Sequence, residues 1–226
     1  MKNILSALVL LISTSAYADV LSVFVWEAPV GHAPEMFQNG LKAQAMHQAM
    51  GANVTISQGQ RFRMYYAIRL ESAAARGAFV DQMNANAEFQ AFMAEASQRD
   101  GAGSLVRVYN INVIAASEEL GGNATVVFQY RPNPGQTQAV IANTLQAKAI
   151  HEKLGAKVQV LLDEEGLVHY VTHHESWAAQ GEFEDVINGG QNEEWDEFWA
   201  GVTANPNAEL LDVLRLTSVN PPPAAE

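Results

Sequence analysis

A fourteen-residue phrase occurs twice in this chain. LKAQAMHQAMGANV occupies positions 41–54 and LQAKAIHEKLGAKV occupies positions 145–158, 104 residues later, with seven identical positions. The same spacing relates VFVW at 23–26 to VFQY at 127–130. Because a period of roughly 100 residues is much longer than the 20–50 residues of solenoid repeats, each copy is large enough to own a hydrophobic core. The chain therefore contains a duplicated folding unit.

Each copy has the same pattern of predicted elements. In the first copy a β-rich run at 20–26 precedes a helix that ends at Gly51, the position where a left-handed cap residue is expected. Alternating apolar residues then predict a hairpin that ends near residue 71, and Ser72 is a natural N-cap for a second helix. A last strand is predicted at 105–114. The order is βαββαβ, which is the ferredoxin-like split βαβ unit.

Aromatic residues recur at i, i+3 and i+4 near the end of each copy, as on a buried helix face. The two sets are Phe89, Phe92, Met93 and Trp195, Phe198, Trp199. We interpret this stripe as core packing and not as a cofactor-binding motif.

The element order, the ESxAA junctions at 71–75 and 175–179, and the EFQAF and EWDEFW stripes resemble the dimeric α+β barrel superfamily in its fused tandem form. The sequence is similar to its antibiotic-biosynthesis-monooxygenase-like and NIPSNAP-like domains. The resemblance implies an α+β fold in which two tandem ferredoxin-like βαββαβ repeats pack their antiparallel sheets against each other as an intramolecular barrel. The superfamily includes cofactor-free monooxygenases, haem-degrading enzymes, chlorite dismutase-like haem enzymes and lactone isomerases, so fold alone does not assign the activity.

The chain divides into five predicted segments. Lys2, the apolar run 4–12 and the sequence Ala16-Tyr17-Ala18 are typical of a secretory signal peptide over residues 1–18, cleaved after Ala18. The repeats are predicted at 19–116 and 124–219, with a polar, Gly-rich linker at 117–123 and a disordered tail at 220–226. We therefore expect a periplasmic or secreted protein, and the absence of cysteine means that no disulfide framework supports its core.

Charge restricts the partners that this protein can have. The formal net charge is −12 at pH 7, and such a field repels nucleic acid and anionic lipid. The run 4–12 is also shorter than the roughly 20 apolar residues that a membrane span needs. We expect a small-molecule partner, no nucleic acid, no membrane span, and a mature protein that is a monomer or a homo-oligomer.

The repeated histidines, His47 and His151, are the first candidate site residues. Helical projection places each of them on the face that points at the sheet. One interpretation is a buried neutral imidazole that both copies need for packing. The other is a proton-transfer group or cofactor ligand between helix and sheet. In haem-binding proteins that the fold resembles, the porphyrin lies in such a space with an axial histidine on a helix. Because His151 has Lys148, Glu152 and Lys153 nearby, we predict His151 as the ligand if haem binds.

A histidine-rich strand, HYVTHHE at 169–175, supplies the other candidates. Strand alternation places His169 and His173 on one face, and their counterparts in the first copy are Tyr65 and Arg69. If this face lines the barrel, the four residues are polar groups in an otherwise apolar cavity, which is typical of a small-ligand site. Two histidines on one strand face can share a metal, but no motif supplies further ligands, so we predict no metal site.

Three functions remain open from the sequence. The first is small-molecule binding within the α+β barrel by an exported protein, with no cofactor indicated by any motif. The second is an enzyme, either a cofactor-independent monooxygenase or a haem enzyme. The third is a structural assembly unit, for which the barrel interior would be sealed by side chains. No nucleophile motif, phosphate loop or dinucleotide fingerprint is present.

Overall fold

The computed structural model describes residues 19–99 and 102–219. The elements of the first repeat are β1 (Val20–Glu27), α1 (Ala33–Ala49), β2 (Asn53–Gln58), β3 (Met64–Leu70), α2 (Ala73–Ala85), α3 (Ala87–Ser97) and β4 (Ser104–Ala116). Those of the second are β5 (Ala124–Pro132), α4 (Thr137–Lys153), β6 (Lys157–Asp163), β7 (Val168–His174), α5 (Trp177–Asn188), α6 (Glu193–Ala204) and β8 (Ala208–Ser218).

The eight strands close into one barrel in the order β1-β3-β2-β8-β5-β7-β6-β4. Every neighbouring pair is antiparallel. Within each repeat the four strands follow the ferredoxin-like order, and the repeats join through β2 with β8 and through β4 with β6. The predicted fold class is therefore confirmed. Closure leaves no unpaired sheet edge, which removes the usual route to edge-to-edge association.

Strand alternation divides the barrel residues between two environments. On β3, Tyr65 packs in a cluster inside the barrel, whereas Tyr66 packs in a cluster between the sheet and the helices of the first repeat. The interior cluster draws residues from both repeats, for example Val25 and Val171. The helix-facing clusters are separate, one for each repeat. Odd-numbered residues of β3 and β7 thus face the interior of the barrel, which we call the lumen.

The predicted helix boundaries follow from local chemistry. Ser72 and Ser176 cap their helices, each accepting a backbone hydrogen bond from the residue three positions on. Gly51 and Gly155 have φ angles of +90° and +86°, so both predicted left-handed caps are confirmed.

The second helix of each repeat differs from the sequence-based expectation. In place of one helix there are two, α2 with α3 and α5 with α6. Asn86 and Asn192 interrupt the helical path, and their side chains accept hydrogen bonds from the backbone N–H groups of Phe89 and Trp195. Asparagine competes for backbone hydrogen bonds in this way, so it starts a new helix and does not continue the old one.

Several sequence predictions concern the ends of the chain and the join between repeats. The signal peptide at 1–18 and the tail at 220–226 lie outside the described residues. The predicted linker 117–123 follows the end of β4 at Ala116 and precedes the start of β5 at Ala124. Among the described residues, no helix is long and apolar enough to cross a membrane.

Candidate functional site

The two repeated histidines occupy equivalent places between helix and sheet. His47 Nδ1 lies 2.7 Å from Tyr66 Oη, and His151 Nδ1 lies 2.8 Å from Tyr170 Oη. Tyr66 and Tyr170 are themselves separated by the repeat spacing of 104 residues. The duplication has therefore preserved a His–Tyr pair and not only a histidine.

Aromatic rings pack against each imidazole. The His47 ring centroid lies 4.8 Å from that of Phe89, and the His151 ring centroid lies 4.5 Å from that of Trp195. Neither Nε2 atom has a hydrogen-bond partner, and both are buried. Each imidazole thus lies against aromatic rings, whose faces are at most weak acceptors for an N–H group.

Burial keeps both pairs neutral. Desolvation lowers the pKa of His47 to about 4, and burial together with the nearby His174 lowers the pKa of His151 to about 4. Desolvation also raises the pKa values of Tyr66 and Tyr170 above their ordinary value. At neutral pH each pair therefore contains an uncharged imidazole and a protonated phenol.

A cavity of about 410 Å³ opens beside the His–Tyr pair of the first repeat. We call it the helix–sheet cavity. Its volume is within the range of about 300–1,000 Å³ that is usual for small-molecule sites. No charged side chain is found among its described lining residues. The lining is dominated by aromatic and methionine side chains, namely Phe24, Trp26, Met36, Met64, Met83, Phe89, Phe92 and Met93.

The corresponding space in the second repeat holds larger side chains. Trp195 stands where the first repeat has Phe89, and Trp199 stands where it has Met93. The Trp195 and Trp199 rings are stacked with centroids 5.7 Å apart. On the sheet-facing side of the first helix, Thr144 takes the place of Gly40, whose position leaves room for the Met64 side chain. The two repeats share a backbone plan but differ in how they fill this region.

The other four candidates face the lumen. Tyr65, Arg69, His169 and His173 all line a second cavity of about 390 Å³ inside the barrel, which we call the lumen cavity. Arg69 forms an ion pair with Asp19 through its Nε and Nη2 atoms. The structure therefore brings these four residues into one cavity and places His47 and His151 on the opposite side of the sheet.

His169 belongs to a buried hydrogen-bonded chain. Its Nε2 lies 2.8 Å from Asp163 Oδ2, and its Nδ1 lies 3.4 Å from Gln129 Nε2. Gln129 Nε2 also donates to Tyr109 Oη at 3.3 Å. Burial alone would raise the pKa of Asp163, but hydrogen bonds from His169 and from the backbone N–H groups of Leu167 and Glu165 hold that pKa below its ordinary value.

His173 has different partners within the same cavity. Its Nε2 donates to Gln159 Oε1 at 3.1 Å, and its Nδ1 lies 3.1 Å from Thr125 Oγ1. Burial, followed by the nearby His174, lowers the pKa of His173 to about 4, so the ring is neutral at pH 7. Because both ring nitrogens of His169 and of His173 already have partners, neither residue offers a free base or metal ligand.

Four lumen residues were not among the sequence-based candidates: Tyr109, Gln129, Gln159 and Asp163. Strand alternation was the signal that could have found them. Gln129 shares a strand face with Thr125, and Asp163 shares one with Gln159. The partners of these side chains come from other strands, so sequence alone did not show that they converge. In the described ranges, no group of three or more His, Cys, Asp or Glu side chains is placed to hold a metal ion.

Comparisons with known proteins agree at the level of fold. No family model matches the sequence, and no curated protein matches it. A candidate monooxygenase from Fusobacterium nucleatum superimposes with a TM-score of 0.61 at 14% identity, covering 90% of this chain and 93% of its own. A candidate monooxygenase from Lactobacillus acidophilus gives a TM-score of 0.64 at 7% identity, with coverages of 89% and 94%.

The chain has the dimeric α+β barrel fold. An anthrone oxidase-like protein shares it with a TM-score of 0.56 at 15% identity, over 92% of this chain and 94% of its own. Since both chains are covered almost completely in each comparison, the tandem arrangement is shared and not only one repeat. At these identities the likeness of dimeric α+β barrels establishes architecture and leaves activity open.

Haem is the cofactor that the resemblance to haem-binding dimeric α+β barrels implies. Among the described residues, the buried, unpartnered Nε2 atoms of His47 and His151 are the feature that favours haem. Phe89 and Trp195 pack against those imidazoles, and the described residues lining the helix–sheet cavity include no Lys or Arg to pair with the carboxylates of a haem. The arrangement therefore does not fit haem. The assignment of His151 as a ligand stays a prediction.

Proposed function

We propose that this protein is an exported binder of an uncharged, apolar, ring-containing small molecule, held in the helix–sheet cavity of the first repeat. One observation carries the proposal. The first repeat leaves an open apolar space of about 410 Å³, where the second repeat fills the equivalent positions with Trp195 and Trp199. Since the second repeat builds the same architecture with larger side chains at these positions, the smaller side chains of the first repeat are not a requirement of the fold.

The chemistry of the lining supports an apolar ligand. Trp26, Phe89 and Phe92 offer ring surfaces for stacking. Met36, Met64, Met83 and Met93 add flexible, polarisable side chains that adapt to ligand shape. The few polar groups at the cavity, such as Asn39 and Ser97, can orient a hydroxyl or carbonyl group but carry no charge. An ionised ligand would lose its hydration without gaining a counter-ion.

Acid–base catalysis is less well supported at this site. A general base works best with a pKa near the operating pH. Burial lowers the pKa of His47 to about 4 and raises that of Tyr66, which moves both values away from neutrality. The same pair recurs at His151 and Tyr170, where Trp195 and Phe183 pack against the imidazole. Because the same His–Tyr pair packs against aromatic rings in both repeats, its role is in core packing and not in proton transfer.

A purely structural role is also less well supported. That role would call for a barrel interior sealed by side chains. The lumen instead holds a cavity of about 390 Å³, in addition to the helix–sheet cavity. Two empty cavities of this size would lower the free energy of unfolding, and an assembly unit would gain nothing from them in return.

The test uses the mature chain from residue 19 and the uncharged probe N-phenyl-1-naphthylamine, whose fluorescence rises in apolar surroundings. Saturable binding at one site is expected. Phe89→Trp copies the second repeat and should weaken probe binding at least tenfold by filling the cavity. The matched control, Phe62→Trp, makes the same substitution at an exposed residue outside the cavity and should bind as tightly as the parent. Equal affinity in the parent and Phe89→Trp, with both folded by circular dichroism, would rule out this cavity.

A second candidate function is cofactor-independent oxidation of the bound molecule. The anthrone oxidase-like structural neighbour motivates it. The reaction would convert an anthrone and O₂ to an anthraquinone and water. Incubating the parent and Phe89→Trp with anthrone in air tests it: quinone formation above the uncatalysed rate in the parent, lost in the variant, would establish the enzyme. If the probe binds but no quinone forms above the uncatalysed rate, the oxidase function is rejected and the binding function stands.

Export is part of the same proposal. It rests on Lys2, the apolar run 4–12 and Ala16-Tyr17-Ala18. Mass spectrometry of the protein recovered from the periplasm or medium of a bacterial host should find Asp19 at the N-terminus. Recovery of the full-length chain only in the cytoplasm would refute this part while leaving the binding site unaffected.

A further inference from the structure

The lumen cavity is separated from the helix–sheet cavity by the sheet itself. Successive residues of β3 alternate between them, since Tyr65 lines the lumen cavity and Tyr66 lines the helix–sheet cavity. A ligand in one cavity therefore does not contact a ligand in the other. The lumen cavity has a different character as well, because amides, hydroxyls and imidazoles line it together with aliphatic side chains.

Two amides in the lumen have unused hydrogen-bonding capacity. Gln129 and Gln159 are only 6% and 8% exposed. Gln129 donates through Nε2 to Tyr109, and its Oε1 atom has no partner among the described residues. Gln159 accepts through Oε1 from His173, and its Nε2 atom has no described partner. Neither atom belongs to the fully buried, unpartnered side-chain atoms of the described residues, so both open onto the cavity, where a bound molecule can pair with them.

The duplication shows that the barrel does not need these amides. By strand register, Gln129 corresponds to Val25, since each lies opposite the equivalent residue of the next strand. Gln159 corresponds in the same way to Thr55. Val25 is fully packed in the interior cluster of the same barrel. The second repeat therefore carries two buried amides at positions where the first repeat has a packed valine and an exposed threonine.

The charges in the lumen are already paired. Arg69 is bound to Asp19 at one end, and Asp163 is bound to His169 together with two backbone N–H groups. Both ring nitrogens of His173 are hydrogen-bonded, one to Thr125 and one to Gln159. The groups that a ligand can meet include the amide acceptor of Gln129, the amide donor of Gln159 and the phenolic O–H of Tyr109. Asn53, Thr55 and Ser57 add further polar groups to the lining, and residues such as Leu161 and Val171 form aliphatic walls.

We propose that the lumen is a second binding site, specific for an uncharged molecule that carries both a hydrogen-bond donor and an acceptor, such as a small amide, lactam or polyol. Gln129 Oε1 accepts from the ligand, Gln159 Nε2 donates to it, and the aliphatic walls contact its carbon skeleton. The site is independent of the apolar site proposed for the first repeat. The alternative occupant is water, since a cavity of about 390 Å³ has room for roughly a dozen water molecules.

The experiment screens the mature chain by saturation-transfer NMR against uncharged amides, lactams and polyols, each paired with a carboxylate and an ammonium analogue of similar shape. The matched variants copy the first repeat: Gln129→Val and Gln159→Thr. Uncharged fragments should bind the parent, and each variant should bind them about tenfold more weakly, the equivalent of one hydrogen bond. Phe89→Trp should leave this binding unchanged.

Two results would overturn the proposal. If no fragment gives a signal that responds to Gln129→Val or Gln159→Thr, the lumen holds water only. If the carboxylate analogues bind more tightly than the uncharged ones, the cavity is an anion site centred on Arg69. Both variants should bind N-phenyl-1-naphthylamine like the parent, which confirms that they are folded and keeps this outcome distinct from that of the apolar site.

Discussion

His47 and Tyr66 are joined by a 2.7 Å contact between Nδ1 and Oη, and the second repeat reproduces it with His151 and Tyr170 at 2.8 Å. Because burial favours the neutral imidazole and the protonated phenol, we assign Nδ1 as the acceptor of the tyrosine proton. The pair ties the first helix of each repeat to the third strand in chain order of that repeat. Its recurrence explains the histidine of the repeated phrase as a packing requirement.

Removing either histidine should therefore affect stability and not cofactor binding. His47→Ala and His151→Ala each leave a buried tyrosine hydroxyl without its partner, so urea unfolding should show a loss of about 1–3 kcal/mol in each. His32→Ala is the control, because His32 makes no capping hydrogen bond. A haemin titration should show the same absorbance in the parent and both variants. A Soret shift lost only in His151→Ala would instead make His151 a haem ligand.

Acid should destabilise the protein before its carboxylates titrate. The pKa values of His47, His151 and His173 are lowered by burial from 6.5 to about 4. As pH falls below 6.5, these histidines become protonated in the unfolded chain but stay neutral in the folded one. Each therefore lowers the free energy of unfolding by up to about 1.4 kcal/mol per pH unit, down to pH 4. The free energy of unfolding in urea should be lower at pH 5 than at pH 7.5, with a smaller difference in His47→Gln. A flat profile would contradict the burial of these rings.

The connection between the repeats should tolerate little change at Gly122. Its φ angle is +118°, and a Cβ atom there would lie 2.1 Å from the carbonyl oxygen of His174. Gly122→Ala should cost at least about 1–3 kcal/mol, measured by thermal or urea unfolding, because the backbone must move. The matched control is Gly181→Ala inside α5, where no atom lies within 4 Å of the added carbon. That change should be neutral or gain about 0.5–1 kcal/mol.

Neither repeat should behave as a monomer by itself. A fragment of residues 19–116 would expose the edges of β2 and β4, which pair with β8 and β6 in the whole chain. It would also expose lumen residues such as Val25 and Ile111. Light scattering after gel filtration should show dimers or aggregates for each half. A stable monomeric half would mean that the interior of the barrel contributes little to folding.

The sequence by itself determined the architecture because its signals are local and are stated twice. Glycine caps at Gly51 and Gly155, serine caps at Ser72 and Ser176, and strand alternation each depend on a few neighbouring residues. The same alternation predicted one strand face for His169 and His173 and the equivalent face for Tyr65 and Arg69, but it left open whether that face lines the lumen, where the structure places all four. Asn86 and Asn192 are further local signals, because the side chain of each caps a new helix and so divides one predicted helix into two.

Only the tertiary structure decided where a ligand can enter. Whether a cavity exists beside His47 depends on the summed volumes of side chains from the sheet and three helices, and Phe89 lines that cavity at the position where the second repeat has the larger Trp195. The polarity of the lumen likewise depends on side chains from different strands that hydrogen-bond to one another, as Gln129 does with Tyr109 and His169. Periodicity assigns a side chain to a face of its own element, but it contains no information about which distant side chains share that space, because packing is set by the closed barrel.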